Sequence, residues 1–251
     1  MKPLIAGNWK MHGLLADRKE IESLAEMVKQ PGKPDCDIVL CLPFTLLFPA
    51  MKYLAETPIS LGAQDCHWDE FGAHTGDISA AMISEAGCDY VIVGHSERRS
   101  GHGAHGERSQ TISQKAKVAL AHGMMPIICI GESLDEREAG KAESQVLDQL
   151  KKSLPREVPA ERVLIAYEPI WAIGAGLTAG AAEIGEMHDV IRHALIETLG
   201  RQGEKVRILY GGSVKPGNAA GIFDIDNVNG ALVGGARLKA EDFYGIIKAA
   251  G

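Results

Sequence analysis

Short apolar runs recur along the whole chain, and most are continuous rather than alternating. They occupy 4–11 (LIAGNWKM), 37–43 (DIVLCLP), 59–65 (ISLGAQD), 89–96 (DYVIVGHS), 125–132 (MPIICIGE), 163–169 (VLIAYEP), 206–213 (VRILYGGS) and 230–235 (GALVGG). Unbroken runs of this length fit strands buried on both faces, as in a parallel sheet. Between them lie segments with helical spacing, among them 16–30, 109–123 and 183–200. In the last of these, Ile184, Met187, Ile191, Leu195 and Leu199 fall on one face. Eight strands alternating with helices predict an α/β fold, a closed (β/α)8 barrel of eight parallel strands. The rival, an open doubly wound sheet, carries a GxGxxG turn after its first strand. Here WKMHGLLAD follows instead. No linker, charge block or low-complexity tract divides the chain, so residues 1–251 are read as one barrel domain.

Composition narrows the classes without choosing among them. The chain is 45% hydrophobic and 24% charged, ordinary for a water-soluble domain, and its net charge is −7. That sign argues against a nucleic-acid partner, which needs a basic face. It leaves room for a small phosphorylated substrate held by backbone N–H groups and one lysine. The five cysteines form no CxxC pair, and three lie within apolar runs, which predicts buried reduced thiols. The opening MKPLIAGNWKM has too short an apolar run for a signal peptide, and no stretch reaches the length needed to cross a bilayer. The expectation is a cytoplasmic protein with no membrane partner.

In a barrel the active face lies at the C-terminal ends of the strands. Those ends collect Asn8, Lys10, Gln64, Asp65, His95, Glu132, Glu168, Gly211–Ser213 and Gly234–Gly235. The paired glycines after the seventh and eighth strands could simply let the chain turn. Their position at the usual phosphate-binding loops of this fold favours an anion site. Beside such a site Lys10 becomes a candidate cation rather than a solvated side chain. His95 precedes SERR, where Ser96 could cap a short helix. The helix dipole there disfavours an imidazolium and leaves a neutral N–H to polarise a carbonyl. Glu168, desolvated at a strand end, is expected to have a raised pKa and to serve as a base, with a structural ion pair as its alternative. His102 and His105 lack a third ligand at useful spacing and are not read as a metal site, and Cys129 is read as packing.

Six ordered segments, AGNWKM (6–11), GAQDC (62–66), VIVGHSERR (91–99), AYEPIWAIG (166–174), YGGSV (210–214) and LVGGA (232–236), closely resemble the triosephosphate isomerase family. The resemblance covers essentially the whole length and implies the TIM barrel. It also implies interconversion of dihydroxyacetone phosphate and glyceraldehyde 3-phosphate, with no metal or organic cofactor. By family roles Glu168 removes the proton, neutral His95 serves the enediolate oxygens, and Lys10 with Asn8 stabilises negative charge. Gly174, Ser213, Gly234 and Gly235 would grip the phosphate. The segment behind Glu168 would form a lid anchored by Trp171. The resemblance implies a homodimer too, in which the loop 66–79 brings Thr75 towards the partner's catalytic lysine.

The chain departs from the family pattern in three places. SGHGAHGE delays Glu107 by about three residues, Ala175, Leu177 and Gly180 replace more polar or bulkier lid residues, and Arg237 stands where serine is common. Outside the resemblance, a phosphate-binding lyase or aldolase would need a Schiff-base lysine or metal ligands at a strand end, and Lys10 is the one strand-end lysine. A scaffold that binds without catalysing is the third reading.

Overall fold

In the computed structural model the eight strands pair in sequence order and close on themselves, β1 against β8, with the neighbouring pairs parallel. The structure describes residues 1–30, 32, 34–100, 106–173, 179–234 and 239–251. The strands are β1 (Leu4–Asn8), β2 (Asp37–Leu42), β3 (Ile59–Ala63), β4 (Cys88–Val93), β5 (Met125–Ile130), β6 (Leu164–Tyr167), β7 (Arg207–Tyr210) and β8 (Gly230–Val233). The helices are α1 (Arg18–Lys29), α2 (Phe44–Leu54), α3 (Ala80–Glu85), α4 (Ser96–Arg99), α5 (Ser109–Ala121), α6 (Leu134–Glu138), α7 (Ala142–Ser153), α8 (Ala181–Leu199), α9 (Ala219–Phe223) and α10 (Ala240–Lys248).

The unbroken apolar runs reflect two separate apolar layers. Leu4, Ala6, Val39, Cys41, Ile92, Ile127, Cys129, Ala166 and Leu209 pack with one another in one cluster. Their sequence neighbours Ile5, Leu40, Val91, Ile128, Ile165 and Ile208 belong to a second cluster with the helices. Alternate residues thus serve opposite faces of the sheet, and both faces are apolar. Each fully buried Leu or Ile contributes about 1.5–3 kcal/mol from removal of its surface from water. All five cysteines are free and buried, as the sequence predicts.

Local signals set the helix limits. In α1, Ile21, Leu24, Ala25 and Val28 are buried at the spacing of one helical face. Ser133 and Glu136 form a reciprocal capping box at α6, which holds the chain leaving β5. In α8, Ile184, Met187, Ile191 and Leu195 are buried as expected, but His188 and Arg192 are buried on the same face. Arg192 donates to the carbonyls of Gly203 (2.6 Å) and Val206 (2.7 Å) and to the side chains of Asn227 (3.0 Å) and Asn229 (2.9 Å). Asn229 in turn accepts the Ile208 N–H, so Arg192 ties α8 to the start of β7 and the loop before β8. Arg192→Met should leave these acceptors unpaired and lower stability by about 2–4 kcal/mol. Urea unfolding followed by circular dichroism checks this, and an unchanged midpoint would contradict it.

Candidate functional site

Glu168 extends β6 by one residue, since its N–H donates to the Ile130 carbonyl at 2.8 Å. Pro169, which has no N–H, ends the ladder there, and a 3-10 turn follows over Ile170–Ala172. The Glu168 side chain is only 2% exposed, and a buried carboxylate is costly unless it is hydrogen-bonded. Oε2 accepts the Ser96 N–H at 2.9 Å, Oε1 accepts the Ser96 hydroxyl at 3.3 Å, and His95 Nε2 lies 2.9 Å from Oε1.

His95 is itself the N-cap of α4, where Ser96 was the expected cap. Its Nδ1 accepts the Glu97 N–H at 3.2 Å, which places the ring proton on Nε2. Ser96 instead turns both of its donors onto Glu168, because a helix N-terminus presents free N–H groups to an anion. The pKa directions differ from those expected from the sequence. Burial, the largest single effect, opposes charge on His95, but the charge and hydrogen bond of Glu168 together with the charge of Glu97 outweigh it and raise the His95 pKa. Burial likewise favours neutral Glu168, but His95, the Ser96 N–H and the Cys129 thiol together hold its pKa below the usual carboxylate value. Each reversal belongs to the pairing of the two groups. If the pair is separated, burial pushes them the other way, towards a neutral imidazole and a more basic carboxylate.

Lys10 follows β1 in a left-handed conformation (φ 53°). Asn8 steadies that turn, its Oδ1 accepting the Lys10 N–H at 2.9 Å. Lys10 Nζ reaches Glu97 Oε1 at 2.5 Å, so His95, Ser96, Glu97 and Lys10 form one polar chain leading to Glu168. Gly234 closes this side: a Cβ there would sit 2.9 Å from Lys10 Cε. Ser213 lies in the turn after β7, where its carbonyl accepts from the Asn218 side chain at 3.1 Å. Gly174 and Gly235, and with them Ala175, Leu177, Arg237, His102 and His105, lie outside the described residues.

Two supporting networks surround the cluster. Glu132 is fully buried, and its Oε1 accepts from Trp171 Nε1 (2.8 Å), the Tyr167 hydroxyl (3.1 Å) and Arg137 Nε (3.0 Å), anchoring the segment after Glu168. Behind α4, Arg98 pairs with Asp65 (2.8 Å) and Glu107 (2.6 Å), and the buried Lys115 reaches both carboxylates at 2.7 Å. Glu107 therefore occupies a defined position despite the longer tract before it. In the loop after β3, His74 Nε2 lies 3.0 Å from Asp69 Oδ2, and His67 Nδ1 accepts the Asp69 N–H at 3.0 Å. These bonds already engage one nitrogen of each ring. Reading strand ends alone missed Ser96 and Glu97, since both lie within the four-residue helix α4. The polar run HSERR directly after a buried strand is the signal that could have found them.

Comparison with known proteins decides what this arrangement belongs to. The family model described as "Triosephosphate isomerase" matches residues 3–250. The chain belongs to the triosephosphate isomerase family. Triosephosphate isomerases from Bradyrhizobium sp. (49% identical over 250 residues, 99% of this chain and 98% of that one) and Rhizobium etli (47% over 249 residues, 99% and 96%) are among its relatives. The crystal structure of triosephosphate isomerase from Bartonella henselae is similar with a TM-score of 0.91 at 41% identity, covering 99% of both chains. The activity is accordingly the isomerisation of triose phosphates, dihydroxyacetone phosphate to glyceraldehyde 3-phosphate and back.

Linkage gives the free protein a pH signature. The lowered Glu168 pKa stabilises the fold above its unfolded value of about 4.3 and is lost as pH falls through the folded pKa. The raised His95 pKa stabilises below about 6.5 and is lost as pH rises through the folded pKa. The stability gap between the wild-type protein and Glu168→Gln should therefore be widest between about pH 4.3 and 6.5. His95 should also titrate at lower pH in that variant. Imidazole NMR and urea unfolding across pH test both, and a His95 titration unmoved by the substitution would refute the pairing.

Proposed function

We propose that Glu168 is the base of the isomerisation, removing the proton from the carbon beside the substrate carbonyl and returning it to the neighbouring carbon. To do so the carboxylate has to leave Ser96 and His95, and on leaving it loses the groups that keep its pKa low. His95 then faces the substrate as a neutral imidazole, donating Nε2–H to whichever oxygen of the enediolate carries charge. Lys10 and Asn8 stand beside that charge. The observation that carries this reading is the buried His95–Glu168 contact at 2.9 Å, next to the Ser96 donors at the start of α4 that a reacting carboxylate could exchange for substrate. The phosphate is held by Ser213 and Gly234 together with Gly174 and Gly235, largely through backbone N–H groups. No metal or organic cofactor enters these steps.

The protein works as a cytoplasmic homodimer in this reading, with Thr75 directed at the partner's Lys10 region. Support comes from exposed apolar side chains in the loops after β1 and β3, Met11 at 95% exposure and Phe71 at 85%, which water alone would leave unfavourably solvated. Two measurements test the proposal. Glu168→Gln should lower kcat by on the order of 100-fold to 10,000-fold in a coupled assay with glyceraldehyde 3-phosphate, at a KM close to that of the wild-type protein. Retained turnover would reject Glu168 as the base. Phe71→Asp should shift sedimentation from dimer to monomer, and a wild-type monomer at micromolar concentration would reject the assembly.

A further inference from the structure

The backbone ladder between β4 and β5 ends at the pair Val93 and Ile128. Immediately beyond it, Gly94 takes a left-handed conformation (φ 69°) and His95 caps α4, so the chain turns away from β5. On the other side, β5 continues to Ile130, whose carbonyl accepts the Glu168 N–H. The seam between the two site residues therefore has no strand pairing of its own.

The Arg99 guanidinium spans this seam. Nε donates to the Gly94 carbonyl at 2.9 Å and the Cys129 carbonyl at 3.0 Å, and Nη2 donates to the same Cys129 carbonyl at 2.8 Å. Nη2 also reaches Ser153 Oγ (3.0 Å), and Nη1 reaches Ser109 Oγ (2.9 Å), so α7 and α5 brace the fork from outside. Every acceptor is neutral: among the described residues no carboxylate oxygen lies within 4 Å of Arg99, although its neighbour Arg98 has two carboxylate partners. A half-buried guanidinium without a carboxylate gives up part of its hydration with no charge partner, which argues for a task that its charge and planar fork perform. Burial lowers its pKa, and the groups whose charge opposes that effect are Cys129, Glu168 and Glu107.

We infer that Arg99 is a positioning residue for the isomerisation: by clipping Gly94 to Cys129 it sets His95, the residue after Gly94, in register with Glu168, bonded to Ile130. Glu168 is one of the groups whose charge acts on Arg99, and that attraction is mutual, so the Arg99 cation adds to His95, Ser96 and Cys129 in favouring the ionised carboxylate, while the charges of Glu97 and Lys10 act on His95. The inference rests on the reading of His95 and Glu168 as the reacting groups. Lysine in place of Arg99 keeps a cation but cannot reach both carbonyls and both hydroxyls, whereas glutamine loses the charge as well.

The experiment compares Arg99→Lys, Arg99→Gln and Glu168→Gln with the wild-type enzyme, measuring kcat and KM for glyceraldehyde 3-phosphate across pH, with circular dichroism to confirm folding. A displacement of reacting groups by about 1 Å costs on the order of 100-fold, so both Arg99 variants should lose about tenfold to 100-fold in kcat with KM within about threefold. In Arg99→Gln the acidic limb of kcat/KM should also move to higher pH, and in Arg99→Lys it should stay in place. A folded variant with kcat within about twofold of wild type, a loss confined to KM, or an unmoved acidic limb in Arg99→Gln overturns the inference. If Arg99→Gln does not fold, Arg99→Lys decides on kcat against KM alone. Retained activity in Glu168→Gln would instead overturn the underlying reading, whatever the Arg99 variants do.

Discussion

A carboxylate withdrawn almost wholly from water has to be satisfied by the protein, and the organisation of the site follows from that requirement at Glu168. Two donors come from Ser96 and one from His95, and all three are available only because α4 begins where β4 ends. A helix of four residues is too short to be stable alone. It persists because Arg98 and Arg99 pin it to the surrounding shell while its first turn binds Glu168. In the proposed reaction, the bonds that hold the carboxylate ionised are the ones Glu168 would release as base. The contact stabilises the resting arrangement, and breaking it removes the groups that keep the Glu168 pKa low.

The barrel supplies what such a contact needs, a stiff frame with chemistry at one end. Because the two faces of the sheet are largely apolar, polar groups concentrate at the strand termini, where side chains following β1, β4 and β6 converge. Several charged residues near the site are held by their neighbours: Lys10 by Glu97, Glu132 by Trp171, Tyr167 and Arg137, Arg98 by Asp65 and Glu107. The Glu107 network shows how the frame tolerates a longer connection. Lys115 on α5 and Arg98 on α4 are both fixed by helices that pack on the barrel, so Glu107 has a set destination and its pKa is pulled down by Lys115 and Arg98 against the effect of burial.

The strand order, the barrel and the identity of the titratable groups at its mouth were legible in the sequence, because hydrophobic periodicity is a local property that needs no partner to be read. The continuous runs at 37–43, 89–96 and 125–132 already required apolar surroundings on both sides. Lys10, His95 and Glu168 were legible as strand-end residues for the same reason. Less was visible where one residue's role depends on another far away in the chain. Ser96 joins His95 in satisfying Glu168, His95 rather than Ser96 caps α4, and Arg192 is buried on a face whose spacing marked only apolar positions.

The pKa directions make the distinction sharpest. Sequence position gave each group a sign from its own environment: burial raises a carboxylate, and a helix N-terminus discourages an imidazolium. The folded chain reverses both, because residues 95 and 168 meet at 2.9 Å and their mutual attraction, together with the hydrogen bonds and charges around them, outweighs burial, the largest single effect on each. The sequence by itself determined which elements form and which chemical groups stand at their ends, since these follow from propensity and periodicity within short windows. Only the tertiary structure decided which of those groups face one another, because Coulombic and hydrogen-bond energies depend on distance in space, and the barrel's closure sets that distance.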